Sequence, residues 1–248
     1  MKAVILIHGF ITSPKDFNPL YDFLNKNYDL VYKVYLPGHK DNEPYKKFKV
    51  DATFNTILDS YDNIAQNYSN IDVIGFSLGG ALASYLASVR KIDKLVLLSP
   101  ANKYLRIGFY HKYRKNIHSL KVRYKILKKK KDLRANTYKI KFNDLKINNK
   151  RSIKMALFDL FPHYTIKNLL VFSHIIRRVN KNLLQIDSKT LICWGELDQL
   201  VPITSIEFLR KYINNLKINI YPYLSHLMLS SCNIKPLVSD ITNFLGEE

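Results

Sequence analysis

The pentapeptide Gly75-Phe76-Ser77-Leu78-Gly79 sets one serine between two glycines, with a third glycine, Gly80, directly after. An apolar run precedes it at 71–74 and an amphipathic stretch follows at 78–89, which places Ser77 at a strand-to-helix turn. Such a turn lifts a hydroxyl clear of the backbone, and the flanking glycines remove side chains that would crowd it. A serine hydroxyl attacks an acyl carbon only if a base takes its proton, and the base needs a carboxylate to orient it. For a serine on this kind of turn, the acid and then the base follow later in the chain, each after a further strand. Asp198 lies four residues after an apolar run at 191–194, in Gly195-Glu196-Leu197-Asp198 with Val201-Pro202 beyond. His226 follows the run at 218–221, in Ser225-His226. Glu196 is a rival for the acid, and Asp198 is preferred for its setting. His39, His111, His118, His163 and His174 lie in loops or in a basic segment and read as surface or packing residues. His8 reads as shaping the turn after the first strand.

Acyl transfer puts negative charge on a tetrahedral oxygen, and two backbone N–H groups aimed at it stabilise that charge. One donor is expected at Leu78, the residue after the nucleophile, where a helix N-terminus adds its dipole. The other is expected in the loop His8-Gly9-Phe10-Ile11-Thr12, at Phe10. No step of this chemistry calls for a metal or cofactor.

These residues need a scaffold that brings distant strand ends together. Apolar runs at 4–7, 30–35, 71–74, 95–98, 191–194 and 218–221 read as strands, nearly continuous in hydrophobicity as parallel strands covered on both faces are. Stretches at 16–26, 51–68, 78–89, 204–213 and 236–245 read as helices. In the second, Phe54, Ile57, Leu58, Tyr61 and Ile64 recur at helical spacing. This alternation predicts a doubly wound parallel sheet with its site at the carboxyl ends of the strands.

Between residues 101 and 187 the alternation stops. That segment carries 23 Lys+Arg against 4 Asp+Glu, while the rest of the chain carries 16 of each, so the whole net charge of +19 sits there. Residues 166–179 predict an amphipathic helix, with apolar positions 166, 169, 170, 172, 175, 176 and 179, and 120–127 predicts a weaker one. The segment reads as a helical insertion over a neutral core of 1–100 and 188–248. Lys128-Lys129-Lys130-Lys131 and their basic neighbours suit an anionic membrane surface. A solvated surface from a lysine-rich composition is the competing explanation. No nucleic-acid module is recognisable. The longest apolar run near the N-terminus, at 3–7, is too short for a signal core or a membrane span. Two cysteines in unrelated contexts, Cys193 and Cys232, make neither a disulfide framework nor a zinc pattern, and fit a cytoplasmic setting.

The chain resembles the α/β-hydrolases, and within them the small bacterial carboxylesterases and monoacylglycerol lipases. The motifs are His8-Gly9-Phe10, Pro37-Gly38-His39, Gly75-Phe76-Ser77-Leu78-Gly79-Gly80, Gly195-Glu196-Leu197-Asp198 with Val201-Pro202, and Ser225-His226. The resemblance implies Ser77 as nucleophile, Asp198 as acid, His226 as base, and a cap inserted after the fourth strand, where the basic segment lies. It also implies a mainly parallel sheet of six strands, because the chain opens at the strand that usually comes third. The implied reaction is hydrolysis of a small-molecule carboxylic ester. Thioesterase, C–C hydrolase and menaquinone-pathway lyase reactions, or a non-catalytic role at an anionic surface, stay open beside it. Gly38-His39-Lys40 departs from the Gly-His-Gly common in the family.

Overall fold

The computed structural model describes residues 1–104, 124–125, 128–129, 139, 166–198 and 200–247. The six apolar runs become β1 (Lys2–Ile7), β2 (Leu30–Val34), β3 (Asn70–Phe76), β4 (Lys94–Leu98), β5 (Lys189–Gly195) and β6 (Leu216–Tyr221). They form one sheet in the order β2-β1-β3-β4-β5-β6, with every neighbouring pair parallel. The central strands β1, β3 and β4 are buried almost end to end, whereas the edge strands β2 and β6 expose residues along their length. That contrast explains why continuous hydrophobicity marks the middle of the sheet.

Helices cover both faces. α1 (Asn18–Asn27) and α6 (Lys235–Gly246) pack Leu20, Leu24, Leu237, Ile241 and Phe244 on one side. α2 (Val50–Ala65), α3 (Leu78–Val89) and α5 (Ile203–Leu209) pack the other, with Phe54, Ile57, Leu82, Leu86, Ile206 and Leu209 in its core. The chain winds outward from β1 in two directions, to β2 on one side and β3 on the other. The carboxyl ends of β1 and β3 therefore flank the crevice where this topology places ligands. The register pairs Ile7 with Gly75, Phe76 with Leu98, Leu98 with Cys193 and Gly195 with Tyr221, which gathers the carboxyl ends of five strands at one edge.

At the opposite edge, the fully buried Asp72 carboxylate holds strand starts together. It accepts hydrogen bonds from the Tyr28 hydroxyl at 2.6 Å and the Lys94 N–H at 2.9 Å, and it pairs with Lys2 Nζ at 3.1 Å. A buried charge is tolerable only with such partners.

A helical insertion follows the fourth strand, and its described helix is α4 (Ile166–Lys181). Ile175, Ile176 and Val179 of α4 enter the core on the α3 side. The Asn180 amide donates to Asn102 O at 2.8 Å, and the Asn102 amide donates to Asn180 Oδ1 at 3.1 Å, so the two ends of the insertion are tied together. The helix expected at 120–127 lies outside the described residues except for Tyr124 and Lys125, both helical.

Several expectations shift, among them the helix expected at 204–213, which ends at Leu209, with Ile213 instead in a bridge to Ile186. The helix expected from residue 16 begins as a 3-10 turn, Pro14–Phe17, and becomes α1 only at Asn18. That start puts Pro19 in the first turn, where its missing N–H costs no hydrogen bond. In α4, Leu169 and Leu170 of the expected apolar set are exposed, and Asn168 is buried, its amide donating to Tyr45 O at 3.1 Å. The buried positions are 168, 175, 176 and 179, with Val171 and Phe172 half-buried against the core, a stripe narrower than the apolar residues suggest.

Candidate active site

Ser77 occupies the sharp turn between β3 and α3, with φ 54° and ψ −114°. Positive φ is costly for a serine, and neighbouring structure fixes it. The Ser77 N–H donates to Leu98 O at 2.9 Å, and Ser77 O accepts from Ala101 N–H at 3.0 Å and Ala81 N–H at 3.1 Å. The turn is thereby bolted to β4 and to the start of the insertion. Gly79 allows α3 to begin hard against β1, since a Cβ there would lie 2.0 Å from Ile7 O.

His226 reaches Ser77 from the loop after β6. Its Nε2 is 2.9 Å from Ser77 Oγ, and its Nδ1 is 2.9 Å from Asp198 Oδ2. The other carboxylate oxygen, Asp198 Oδ1, accepts the N–H groups of Leu200 and Val201, each at 2.9 Å. The Asp198 side chain is wholly buried and that of His226 only 12% exposed. Asp198 is thus held by its own loop and in turn holds the imidazole, with Nδ1–H donating to it and Nε2 facing the serine. Phe76, the residue before the nucleophile, sets its ring 5.2 Å from the imidazole. Glu196 is exposed, and the place at His226 Nδ1 belongs to Asp198. The three residues expected to work together meet in one hydrogen-bonded chain, the geometry of a Ser-His-Asp catalytic triad.

Phe10 and Leu78 flank this chain. Leu78 is buried at the first position of α3. The loop bearing Phe10 runs beside the nucleophile, because a Cβ on Gly9 would lie 3.0 Å from Ser77 Cβ. Two side chains organise that loop through three hydrogen bonds. The His8 Nδ1–H donates to Gly9 O at 2.8 Å, the Thr12 hydroxyl donates to the same oxygen at 3.0 Å, and His8 Nε2 accepts the Leu36 N–H at 3.1 Å. Burial, with His39 beside it, lowers the His8 pKa to about 3, so its ring is neutral in this role. His39 stands 5.3 Å from His8, and burial lowers its pKa too. His8 does shape the turn, as its position after β1 suggested.

Sequence reasoning missed two contributors. Thr12 was seen only as part of a loop. Phe172 of α4 comes to 5.4 Å from Phe10, ring centre to ring centre, across a distance in sequence that no local pattern spans. The helical spacing had placed 172 on the apolar face of α4, which was the one available signal. His174 is exposed and takes no part, while His111, His118 and His163 lie outside the described residues. Among the described residues, no three His, Cys, Asp or Glu side chains converge as a metal cluster, and no helix is long and apolar enough to cross a membrane.

Parallel sheet, strand-to-helix serine and Ser-His-Asp chain together define a class, and the comparison with protein families agrees. The chain belongs to the alpha/beta hydrolase fold family, whose signature matches residues 2–229. Among curated proteins, it is 33% identical over 107 residues to a pimeloyl-[acyl-carrier protein] methyl ester esterase of Neisseria meningitidis, a stretch covering 43% of this chain and 39% of that protein. The match therefore spans about a third to two-fifths of the length of these curated relatives. Among solved structures, a monoacylglycerol lipase of Paleococcus ferrophilus superposes with a TM-score of 0.66 at 18% identity, covering 98% of this chain and 93% of that one. A meta-cleavage product hydrolase of Pseudomonas fluorescens gives 0.62 at 18% identity, covering 99% and 90%. At these identities the structural likenesses show the fold alone.

Proposed function

We propose that this protein is a serine hydrolase that cleaves carboxylic esters, of the carboxylesterase or monoacylglycerol lipase type. The observation that carries the reading is the pair of 2.9 Å contacts linking Ser77 Oγ, His226 and Asp198. In the first half-reaction Ser77 Oγ attacks the ester carbonyl carbon while His226 Nε2 takes its proton. Asp198 holds the imidazole in place and stabilises its positive charge. The Phe10 and Leu78 N–H groups bind the oxyanion. Imidazolium then returns the proton to the alkoxide leaving group, and the acyl group stays on Ser77. In the second half-reaction water attacks the acyl-enzyme with His226 again as base, releasing the acid. We read the segment 101–187 as the cap of this enzyme, and the neighbouring aromatic rings of Phe10 and Phe48 suit an apolar acyl chain.

A panel of p-nitrophenyl esters from acetate to palmitate tests the reading, with Ser77→Ala as control. Turnover that vanishes in the variant supports it. Thioester or C–C cleavage with no ester turnover would replace it with another reaction of the same machinery, since one fold hosts many reactions.

The reading extends to where the enzyme works. The excess charge of 101–187 suits peripheral contact with an anionic membrane. A cytoplasmic location is part of the same reading and accords with two free thiols, Cys193 and Cys232. Cell fractionation checks it.

A further inference from the structure

We propose that Phe172, carried by the insertion helix α4, is a positioning residue for the oxyanion donor: its ring holds Phe10, and through it the Phe10 N–H, in place beside Ser77. The inference rests on the reading of that N–H as a donor to the oxyanion.

The loop after β1 is held from below and strained at its tip. His8 and Thr12 both donate to Gly9 O. The Gly9 carbonyl and the Phe10 N–H belong to one planar trans peptide and point opposite ways, so fixing the oxygen fixes the direction of the N–H. Immediately beyond, Ile11 has φ 61°. A β-branched side chain in that region is disfavoured, and such a conformation persists only where its surroundings over-determine it. The hydrogen bonds on Gly9 O set the direction of the Phe10 N–H, while the packing of the Phe10 ring anchors its Cα and so sets where that N–H stands relative to Ser77.

Among the described residues, that packing comes from two directions. The Phe10 ring lies 5.3 Å from Phe48, nearly parallel to it, and 5.9 Å edge-on from His39, both in the segment after β2. It also lies 5.4 Å from Phe172 of α4. Phe172 is itself placed by Tyr104, whose ring is 4.9 Å away and whose hydroxyl donates to Ser173 Oγ at 2.8 Å. α4 is fixed in turn by its buried Ile175, Ile176 and Val179, by the Asn168 amide on Tyr45 O, and by an ion pair from Arg178 to Asp51. The insertion therefore touches the catalytic apparatus at a ring whose backbone N–H does the work. A geometry this close to the reacting carbon affects rate more than ground-state binding, because the oxyanion exists only after attack.

The test compares wild type with Phe172→Ala, Phe172→Leu and Phe172→Tyr on p-nitrophenyl acetate and p-nitrophenyl octanoate, with the rate of Ser77 labelling by a fluorophosphonate measured alongside. Positioning predicts that Phe172→Ala lowers kcat on both esters by a similar factor, about tenfold. KM for acetate should stay within about twofold, labelling should slow in parallel, and Phe172→Tyr should restore most of the rate. Phe172→Leu, which keeps apolar volume, separates loss of the aromatic contact from a failure to fold, as does the melting temperature of each variant. Unchanged kcat on acetate with a raised KM on octanoate would overturn the proposal and make Phe172 a wall of the acyl site. Slower labelling of Phe172→Ala in a wild type that turns over no ester would keep the positioning role and remove the ester reading. A wild type inert to both probes removes both.

Discussion

Each residue of the site has a distinct expected signature. Ser77→Ala should lower ester turnover by at least about a thousandfold, with the melting temperature nearly unchanged, because the nucleophile is lost and the backbone turn is kept. Asp198→Asn should cost about 10⁴ in kcat, since an amide at Oδ2 turns the imidazole to the wrong tautomer. Glu196→Gln should leave the rate nearly unchanged. A reversal of those last two results would reassign the acid. His8 gives a pH signature instead. Its pKa falls from 6.5 unfolded to about 3 folded, so the unfolded chain binds the extra proton between those values. The stability that neutral His8 contributes is complete above pH 6.5 and declines as pH falls toward 3. One such proton gives a slope of up to about 1.4 kcal/mol per pH unit. Urea midpoints at pH 7, 6, 5 and 4 should show a steeper loss in wild type than in His8→Gln. Equal slopes would mean that another group titrates. Ser77, Asp198 and His226 were legible in the sequence because chain order and strand ends constrain them at once. Thr12 was not, because a hydroxyl on a neighbouring carbonyl leaves no spacing to read, and for Phe172 helical spacing gave the apolar face of α4 but not the ring it meets.

The elements were legible where burial is continuous and blurred where it is one-sided. All six strands and their order of appearance follow from apolar runs, since covered parallel strands write themselves as such. Helix starts moved where proline dictated them, as at Pro19, and the face of α4 was overdrawn because Leu169 and Leu170 are apolar without being buried. Contacts between elements left little trace, and Gly195, visible only as a motif residue, is one case. It ends β5, and a Cβ there would lie 2.2 Å from Leu224 O, on the segment that leads to His226. Gly195→Ala must therefore push apart the two loops that carry the acid and the base. We expect destabilisation of roughly 2–3 kcal/mol in urea unfolding. Turnover of the folded fraction should fall at least about tenfold, because a displacement of less than 1 Å is enough to spoil the proton relay. Full activity per folded molecule would show that the loops move as one.

At the scale of the molecule, the charge divides the chain into a neutral hydrolase core and a basic insertion. If that charge meets a membrane, cosedimentation should be strong with phosphatidylglycerol vesicles, weak with phosphatidylcholine, and mostly lost between 50 and 500 mM salt, as screening shortens the reach of each lysine. Replacing Lys128–Lys131 by glutamine should weaken binding without changing kcat on p-nitrophenyl acetate. Equal sedimentation with both lipids would sink the idea. The core makes its own global statement. Three residues other than glycine at the ends of β1, β3 and β4, namely Ile11, Ser77 and Ser99, have positive φ, at 61°, 54° and 43°. Of these, Ile11 alone is β-branched, and it lies outside the Ser77-His226-Asp198 chain. Selection for heat resistance would thus reach Ile11 early: Ile11→Gly should raise the unfolding free energy by about 1 kcal/mol by releasing the left-handed isoleucine. The same change should slow ester turnover, since a slack tip lets the neighbouring amide wander. Durability and speed would then compete at a single residue outside the catalytic triad.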